Sequence, residues 1–442
     1  MRIAVIGLGK IGLPLAVQYA SSGSRVTGID VNADVVAAVN AGREPFPGEY
    51  QLPERLLEAV SEGLLTATCS YAEGIPGADV VVVVVPLLVD NVYAPDFGLL
   101  DRATSEMAAN LTAGTLICFE TTLPVGTTRS RWLPMIERES GLAHGSDFEL
   151  VFSPERVLTG RVFNDLRRYP KLVGALDDVG ARRATDFYNA VLQFDERPDL
   201  SRPNGVWDLG SAEAAEFAKL AETTYRDVNI GLVNEFARTA DRFGVDIYGV
   251  IEACNSQPYS HLHQPGIAVG GHCIPVYPRL YLHGDPNASV VAAARAANEE
   301  MPRYACGLVA AAFDGSLAHR HVVVLGAAYR GDVKETAVSG VFPVVRELES
   351  LGATVTVHDP LFSDAELLHL GLTPYLVGTP VDAAILQADH AVYREWGSSD
   401  LPGLSVLLDG RNATDADRWP GVTRLVIGSP PSVAVPVPYS HA

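Results

Sequence analysis

Cysteine and positive charge are both scarce in this sequence, and no long hydrophobic run occurs in it. The 442 residues include five cysteines, which are odd in number, widely spaced and without a CxxC pair. This pattern excludes a disulfide framework and indicates free thiols in a reducing compartment. The 33 basic residues are outnumbered by 53 acidic ones, for a formal net charge of -20. Such a charge repels polyanions, so no nucleic-acid partner is expected.

The apolar segments are too short to cross a membrane. The longest, residues 80–89, is interrupted by Pro86, whereas a membrane helix needs ~20 apolar residues. The chain opens directly into an apolar run at residues 2–6, so no secretory signal is expected. These features predict a cytoplasmic protein without a membrane partner. The 48% hydrophobic and 19% charged residues are typical of a globular chain.

Short apolar runs alternate with helical patterns in two separate parts of the chain. The first part has candidate strands and helices at 2–6, 13–21, 25–30, 80–85 and 116–119. A second series begins at 321–325 and reaches a strand at 354–358. Such alternation predicts an α/β fold with two Rossmann-like, doubly wound domains. We expect a long central helix and a helical dimerisation region to join them, with domains at 1–200, 201–300 and 301–442.

A long helix is predicted between Ser211, a candidate N-cap, and the stop signal at Gly244. It spans about 50 Å at ~1.5 Å per residue. Residues at helical spacing predict a buried face made of Phe217, Leu220, Ala221, Thr224, Val228 and Leu232. A helix of this length also permits pairing with a second subunit. The run after Ser429 contains four prolines and predicts a loosely held tail.

The glycine-rich segment 7–12, Gly-Leu-Gly-Lys-Ile-Gly, follows the first predicted strand and opens the first predicted helix. The first glycine permits a tight turn, the second lets the backbone approach a pyrophosphate, and the third allows close helix–strand packing. Asp30 ends the second strand at the spacing expected for a carboxylate that binds ribose hydroxyls. Because no arginine follows it to accept a 2′-phosphate, the motif predicts NAD rather than NADP.

The irregular segment 255–278 is rich in glycine, proline and histidine, which predicts a functional loop. It contains Gly-Gly-His-Cys-Ile-Pro at residues 270–275. Cys273 suits aldehyde oxidation, because a thiohemiacetal that gives up hydride becomes a thioester that water hydrolyses. The alternative is a small buried hydrophobe. The histidines at 261, 263 and 272 together with this cysteine match no common zinc spacing, so no metal is predicted.

Lys219 lies on the predicted long helix, four residues before Thr223 and on the same face as Glu216 and Arg226. A lysine in this position can stabilise a developing oxyanion. It can equally be a solvated surface charge, which is the more common state of lysine.

In combination these motifs resemble the UDP-glucose/GDP-mannose dehydrogenase family of nucleotide-sugar 6-dehydrogenases over nearly the whole chain. Five ordered motifs provide the resemblance: GLGKIGLP (7–14), ETTLPVGTT (120–128), SPERVLTG (153–160), EFAKLAETTYRDVNIGLVNE (216–235) and GGHCIPV (270–276). The segments GAAYRGDVKE, ADHAVYREW and LLDGRNATD nearer the C-terminus are also similar to the family. The SPER and GGHCIPV motifs are most similar to the branch that oxidises UDP-N-acetylhexosamines, with UDP-glucose as the other candidate substrate.

The resemblance implies a four-electron oxidation of the 6-hydroxyl of a UDP-sugar to a uronate by at least a dimer, with two NAD reduced per sugar. It implies that Cys273 is the nucleophile and that Lys219 stabilises the oxyanion and water. Glu155 is the implied carboxylate for acid/base work, and Thr122 holds an active-site water. The cofactor-binding residues are Gly7, Gly9, Lys10, Ile11, Gly12, Asp30, Pro86 and Thr122. The substrate-binding residues are Arg156, Gly270, Gly271, Arg330 and Arg411.

Three positions depart from the family pattern. Thr223 stands where an asparagine is usual, Tyr277 where an aspartate is usual, and Ala337 where an arginine is usual. A phenol with a pKa of ~10 is a poor general base near neutral pH. Thioester hydrolysis would then rest on Glu155, or on Asp227 one helical step past Thr223.

Arg330 stands where the family usually has a phosphate-facing lysine, so the charge is kept while the donor geometry differs. With the three departures, this leaves two alternatives to full oxidation. One is an oxidation that stops at the aldehyde or at the thioester. The other is a paralogue that binds the nucleotide sugar without catalysis.

Overall fold

The computed structural model describes residues 1–90 and 94–430. It divides the chain into two compact units, Met1–Glu222 and Thr223–Ala442, with the boundary inside one long helix. The division into three domains at 1–200, 201–300 and 301–442 stays a prediction. The predicted C-terminal tail lies, from residue 431 onward, outside the described residues.

The strands of the first unit are β1 (Arg2–Ile6), β2 (Arg25–Ile29), β3 (Leu65–Thr68), β4 (Val80–Val83), β5 (Leu88–Val89), β6 (Pro95–Asp96), β7 (Thr115–Phe119), β8 (Phe148–Phe152), β9 (Lys171–Ala175) and β10 (Val206–Asp208). Eight of them form one sheet in the order β10-β9-β8-β7-β4-β1-β2-β3. Six neighbouring strands of this sheet are parallel, in the order β8-β7-β4-β1-β2-β3, which is the order of a dinucleotide-binding sheet. Strand β9 is antiparallel to β8.

The helices of the first unit are α1 (Gly12–Ser21), α2 (Ala33–Asn40), α3 (Leu52–Ser61), α4 (Tyr71–Gly74), α5 (Gly98–Ala109), α6 (Leu133–Ser140), α7 (Val162–Arg168) and α8 (Asp178–Val191). Every residue of strands β4, β7 and β8 is buried. Strands buried on both faces require helices on both sides of the sheet. The predicted doubly wound arrangement is therefore confirmed for this unit.

The second unit contains the strands β11 (His321–Leu325), β12 (Thr354–His358), β13 (Ala383–Leu386), β14 (Val406–Asp409) and β15 (Thr423–Val426). All neighbours are parallel, in the order β12-β11-β13-β14-β15. This order is the second common form of a doubly wound sheet. Both sheets have a point where the strand order reverses, and such points are where α/β proteins bind ligands.

Helix α9 (Ala212–Phe243) contains the boundary between the units, and the second unit continues with α10 (Ile247–Asn255), α11 (Tyr277–Gly284), α12 (Ser289–Ala311), α13 (Val341–Ser350) and α14 (Asp364–His369). The predicted ends of α9 are confirmed. Ser211 Oγ accepts a hydrogen bond from the Ala214 N–H at 3.1 Å. Gly244 adopts φ +63°, which favours glycine.

The predicted buried face of α9 is wrong in part. Phe217 and Leu232 are 46% and 41% exposed. Leu220 and Thr224 of the predicted face are buried, but most other buried residues of this helix are small or polar, among them Ala215, Glu216, Lys219, Thr223, Asp227 and Ala237. At Gly231 the backbone of α12 lies too close for a larger side chain. A Cβ on Gly231 would stand 2.9 Å from the carbonyl oxygen of Ala294 in α12.

No helix among the described residues is long and apolar enough to span a bilayer. All five cysteines fall within the described ranges and are free thiols, as predicted. Cys118 and Cys306 are buried, whereas Cys273 is exposed. The interpretation of Cys273 as a small buried hydrophobe is therefore wrong.

Candidate functional site

The glycine-rich loop after β1 has the backbone geometry that its motif predicts. Gly7 adopts φ +92°, and a Cβ there would lie 3.1 Å from the Val84 carbonyl oxygen. A Cβ on Gly12 would lie 1.8 Å from the carbonyl oxygen of Gly7, so the start of α1 packs directly on the loop. A Cβ on Gly9 would meet nothing within 4 Å. There is therefore no room for a side chain at Gly7 or Gly12, whereas the backbone at Gly9 is open to a ligand. A loop that binds a pyrophosphate requires this arrangement.

Asp30 lies beside this loop at the carboxyl end of β2. Its Oδ2 accepts the Leu8 N–H at 2.8 Å, and its Oδ1 accepts the Asn32 N–H at 2.9 Å. These two bonds fix the carboxylate, and each oxygen keeps lone-pair capacity for a ribose hydroxyl. The open position at Gly9 and the fixed carboxylate fit the adenosine half of NAD.

The other predicted cofactor residues also follow the carboxyl ends of parallel strands. Pro86 is exposed after β4, and Thr122 is buried after β7. The neighbouring Thr121 donates its hydroxyl to the Val85 carbonyl at 2.6 Å and so ties the two segments together. Lys10 is exposed and Ile11 is half-buried at the start of α1.

The same substitution at two glycines of the loop is expected to give opposite results. Gly9→Ala adds a methyl group to open space, so we expect normal thermal stability and an NAD affinity about tenfold lower, a loss of ~1.4 kcal/mol. Gly12→Ala drives a methyl group into the Gly7 carbonyl, so we expect a lower melting temperature. Calorimetric NAD titration and thermal unfolding of both variants measure the two effects. An unchanged NAD affinity in Gly9→Ala would contradict the role of this loop.

Glu155 belongs to a buried ionic network after β8. Lys171 Nζ contacts Glu155 Oε1 and donates to Glu120 Oε2 at 2.9 Å. Tyr188 and Tyr19 donate their hydroxyls to Glu120 Oε1 at 2.7 Å and 3.2 Å. Lys171, Glu120 and both tyrosines are buried. One lysine thus holds the predicted catalytic carboxylate and shares its charge with a second carboxylate.

The charges of this network depend on one another. Burial lowers the pKa of Lys171, but the carboxylates of Glu120 and Glu155 raise it more, so the net pKa is raised. Burial raises the pKa of Glu120, and Lys171 opposes that shift. Removing the lysine would leave buried carboxylates whose other contacts in the network are neutral phenols and one another.

Arg156 and Lys219 share one partner, Glu222. Arg156 Nε donates to Glu222 Oε2 at 2.9 Å, and Lys219 Nζ donates to Glu222 Oε1 at 3.4 Å. Lys219 is buried, so its interpretation as a solvated surface charge is wrong. The carboxylate links the SPER segment to α9 within the first unit.

Glu216 fixes the loop that carries Thr122. Its carboxylate accepts the Gly126 N–H at 2.5 Å, the Thr128 N–H at 2.9 Å and the Thr128 hydroxyl at 2.7 Å. Burial raises the pKa of Glu216 to about 7, although these bonds lower it. The carboxylate therefore acts as an anchor between α9 and residues 126–128.

In the second unit, the loop that holds Cys273 packs against the aromatic ring of Tyr329. A Cβ on Gly270 would lie 2.7 Å from the Tyr329 Cβ, and one on Gly271 would lie 3.1 Å from its ring. The Gly271 N–H donates to the Ala337 carbonyl at 2.8 Å. The carbonyl of Cys273 accepts the Tyr277 N–H at 2.8 Å at the start of α11. The thiol is thus presented, exposed, between two fixed backbone segments.

Asp227 acts on this loop through Arg295. Its Oδ2 lies 2.8 Å from Arg295 Nε, and its Oδ1 accepts Asn298 Nδ2 at 2.8 Å. Arg295 in turn donates to the Pro275 carbonyl at 3.2 Å. Burial raises the pKa of Asp227 to about 6, and Arg295 opposes that shift. Because both oxygens are engaged and buried, these contacts favour a positioning role for Asp227.

The predicted substrate residues of the second unit converge on one region. Arg411 donates to the Ala268 carbonyl at 3.3 Å and to the Gln387 carbonyl at 2.6 Å. Burial lowers the pKa of this arginine. Arg330 Nε donates to the Tyr329 hydroxyl at 3.1 Å. Gly270, Gly271, Arg330 and Arg411 therefore all lie around the segment that contains Tyr329.

Comparison with known proteins agrees with the two sheets and the loop motifs. Three models of the UDP-glucose/GDP-mannose dehydrogenase family match the chain: its NAD-binding domain at residues 1–192, its central domain at 213–300 and its UDP-binding domain at 323–416. The chain belongs to this family. It is an NAD-dependent nucleotide-sugar dehydrogenase, with NAD bound by the N-terminal domain.

Individual relatives carry UDP-N-acetylhexosamine names. The UDP-N-acetyl-D-mannosamine dehydrogenase of Pyrococcus horikoshii is 34% identical, with 93% of this chain and 96% of the relative covered. The UDP-N-acetyl-D-glucosamine 6-dehydrogenase of Pseudomonas aeruginosa is 28% identical, with coverages of 95% and 98%. A solved UDP-D-ManNAc dehydrogenase structure from Pyrococcus horikoshii matches with a TM-score of 0.85 at 31% identity, covering 97% of this chain and 99% of that one.

Sequence reasoning missed four residues that hold the predicted ones in place, namely Lys171, Glu222, Arg295 and Tyr329. Glu222 follows Lys219 by three residues on α9, and Tyr329 precedes its partner Arg330 in the segment GAAYRGDVKE. The spacing of Lys219 and Glu222 alone could have indicated a pair. The contacts of Lys171 and Arg295, and those of Tyr329 with Gly270 and Gly271, join segments that are distant in sequence.

Proposed function

We propose that this chain oxidises the 6-hydroxyl of a UDP-N-acetylhexosamine to the corresponding uronate, with UDP-N-acetyl-D-mannosamine as the first candidate. The relative from Pyrococcus horikoshii, 34% identical over 93% of the chain, is the observation that carries this choice of sugar. The presentation of an exposed Cys273 in a fixed glycine loop supports the two-step course of the reaction.

Each proposed role uses a chemical property of the residue. Cys273 adds its thiolate to the aldehyde formed by the first oxidation, and the resulting thiohemiacetal becomes a thioester in the second. Lys219 donates hydrogen bonds to the oxygen that carries developing negative charge. Glu155, held by Lys171, positions and deprotonates the water that hydrolyses the thioester. NAD, when bound, accepts one hydride in each oxidation.

Because Tyr277 stands where the family usually has an aspartate and Thr223 where it has an asparagine, a carboxylate elsewhere in the chain must activate the water. Asp227 is fully buried, with one oxygen beside Arg295 and the other accepting from Asn298. Glu155 is half-buried and contacts Lys171 through Oε1. We therefore assign hydrolysis to Glu155 and the positioning of the cysteine loop to Asp227.

A substrate panel tests the proposed sugar. The purified chain is incubated with NAD and, separately, UDP-N-acetylmannosamine, UDP-N-acetylglucosamine, UDP-glucose and GDP-mannose, and NADH formation is followed by absorbance. We expect kcat/KM to be highest for an N-acetylhexosamine. A preference for UDP-glucose would contradict the proposed sugar while leaving the reaction type in place. Binding of every sugar without NADH formation would support a binding paralogue instead.

We also propose a homodimer that pairs through α9. Phe217, Tyr225, Leu232 and Phe236 are exposed and fall on one face of this helix. The face opposite is the one that carries the buried polar residues. An apolar stripe of this kind is typical of a subunit interface.

Phe236→Asp is expected to convert the dimer to a monomer, because it places a charge in the apolar stripe. Light scattering coupled to size-exclusion chromatography measures the mass. Leu376→Asp is the control, since Leu376 is an exposed apolar residue of the second unit and lies outside α9. A wild-type monomer, or a Phe236→Asp variant that stays dimeric, would contradict this interface.

A further inference from the structure

A second cluster of chemistry-bearing side chains lies in the first unit, near the amino end of strand β8, whereas the cofactor loop follows the carboxyl end of β1. It consists of His144, Glu149 and Asp177, whose ligand atoms all lie within 4.8 Å of one another. His144 precedes β8, Glu149 is the second residue of β8, and Asp177 caps the start of α8. The cofactor residues instead follow the carboxyl ends of the parallel strands, so this cluster is separate from them.

Two polar atoms of the cluster are buried and unsatisfied. Glu149 is 4% exposed, and within the described residues neither its Oε2 nor the Nε2 of His144 has a hydrogen-bond partner. A buried acceptor of this kind costs about 1–3 kcal/mol unless something satisfies it. The buried Glu149 oxygen and His144 nitrogen therefore have bonding capacity that hydrogen bonds to the described residues do not use.

The three side chains are held so that their unused atoms face one another. Asp177 Oδ1 accepts the Gly180 N–H at 2.8 Å, which directs Oδ2 to within 3.6 Å of His144 Nε2. Glu149 Oε2 lies 3.8 Å from the same nitrogen. The imidazole ring packs edge-on against Phe148, with ring centroids 5.7 Å apart. This contact fixes the direction of the nitrogen.

The two separations from His144 Nε2, 3.6 Å to Asp177 and 3.8 Å to Glu149, are too long for hydrogen bonds and suit ligands around a metal ion. Hydrogen bonds between nitrogen and oxygen span about 2.7–3.2 Å. Two zinc bonds of ~2.1 Å at a tetrahedral angle place their ligand atoms ~3.4 Å apart. One imidazole with two carboxylates is also a ligand set that zinc accepts, and the two negative charges balance a divalent cation.

We propose that His144, Glu149 and Asp177 bind a divalent cation, with zinc as the first candidate and water in the remaining coordination position. The half-exposed Asp177 provides an access path from solvent. The cation would join the segment before β8, the strand itself and the first turn of α8. Its effect is therefore structural, and it is independent of the proposed oxidation.

Arg183 and a proton are the competing sources of positive charge. Arg183 donates to the Gly114 carbonyl at 2.6 Å, which directs at least one of its nitrogens away from the cluster. A proton on His144 or between the carboxylates is the occupant that the experiment must distinguish from a metal.

The test uses the full chain after removal of metal with a chelator and dialysis. Zinc chloride is titrated in competition with a chromophoric chelator, and thermal unfolding is followed with and without zinc. Wild type is compared with Glu149→Gln and His144→Gln, which keep size and remove a ligand. His369→Gln is the matched control, because this histidine is exposed at the end of α14.

We expect wild type and His369→Gln to bind one equivalent of zinc more than either cluster variant. We also expect zinc to raise the melting temperature of the first two proteins and to leave that of the cluster variants unchanged, since a ligand of the native state stabilises it. Equal zinc stoichiometry and equal thermal shifts in all four proteins would overturn the proposal. A melting temperature that depends on pH but not on zinc would overturn it in favour of a bound proton.

Discussion

Cys273→Ser lowers the rate of uronate formation by on the order of 10³-fold, because a serine hydroxyl stays protonated at neutral pH and is a far weaker nucleophile toward an aldehyde. The exposed thiol in the loop fixed by Gly271 and Arg295 is the nucleophile that attacks the aldehyde in the proposed course of the reaction. Mass spectrometry of the sugar product, together with NADH absorbance, measures the loss. We also expect the remaining product to include aldehyde.

Cys254→Ser is the control for this experiment. Cys254 lies near the end of α10 in the same unit and is half-buried. It should therefore report any general effect of removing a thiol, and we expect its rate to match wild type. Full uronate formation by Cys273→Ser would contradict the thioester course. An equal loss in both serine variants would show that the effect is not specific to the loop.

Lys171→Met destabilises the protein by about 3–5 kcal/mol, the cost typical of breaking a buried ion pair by removing one partner. The lysine is 4% exposed and lies against two carboxylates, Glu120 and Glu155. Methionine fills a similar volume, so the loss reflects uncompensated negative charge rather than a cavity. Denaturant unfolding measures the stability, and the oxidation rate should fall as well because Glu155 loses its fixed position.

The pH dependence separates charge from packing. In Lys171→Met the folded-state pKa of the buried carboxyls is raised above the unfolded value of ~4.3. Beside Lys171 the pKa of Glu120 is already about 7, and without the lysine it is higher still, so the deficit against wild type is largest at alkaline pH and shrinks as pH falls through the variant's pKa toward 7. Lys171 itself titrates above this window. A deficit that does not change with pH would contradict the electrostatic account.

Two further variants complete the test of this network. Lys334→Met removes a lysine that is half-exposed and pairs with Glu366 at the surface, so we expect a small effect. The double variant Lys171→Met with Glu120→Gln removes one of the two carboxylates that the single variant leaves without their lysine, and it should recover part of the lost stability. A failure of this rescue would assign the loss to packing.

Much of the fold follows from local patterns. The strands at residues 2–6, 321–325 and 354–358 have the predicted bounds, because apolar runs flanked by glycine and polar residues have few other solutions. The ends of α9 also follow from local signals, the cap at Ser211 and the glycine at 244. The order of the strands required tertiary structure, since periodicity carries no information about neighbours.

The buried face of α9 shows where pattern reasoning failed. Apolar spacing selected Phe217 and Leu232 for the interior, yet both are exposed. Besides Leu220 and Val233, the interior side holds Lys219, Asp227 and small residues, because the helix packs closely at Gly231 and carries polar groups toward other buried polar groups. The helical spacing of apolar residues can locate an apolar face, but it does not indicate whether the protein core or a second subunit covers that face.

The candidate site was accessible from sequence only for residues inside motifs. Cys273, Glu155 and Asp30 are each marked by a local motif. Lys171 and Arg295 are unremarkable in sequence, and they matter because the fold brings them to Glu155 and to the Pro275 carbonyl. Long-range partners of this kind cannot be found from spacing alone.

The most direct test of the account is the amount of NADH formed per UDP-N-acetylhexosamine consumed, measured to completion with excess NAD. The account predicts a ratio of two, with uronate as the sugar product, because Cys273 and Glu155 carry the aldehyde through the thioester to the acid. A ratio of one with aldehyde as the product would contradict it, and would show that Tyr277 and Thr223 have removed the second half of the reaction.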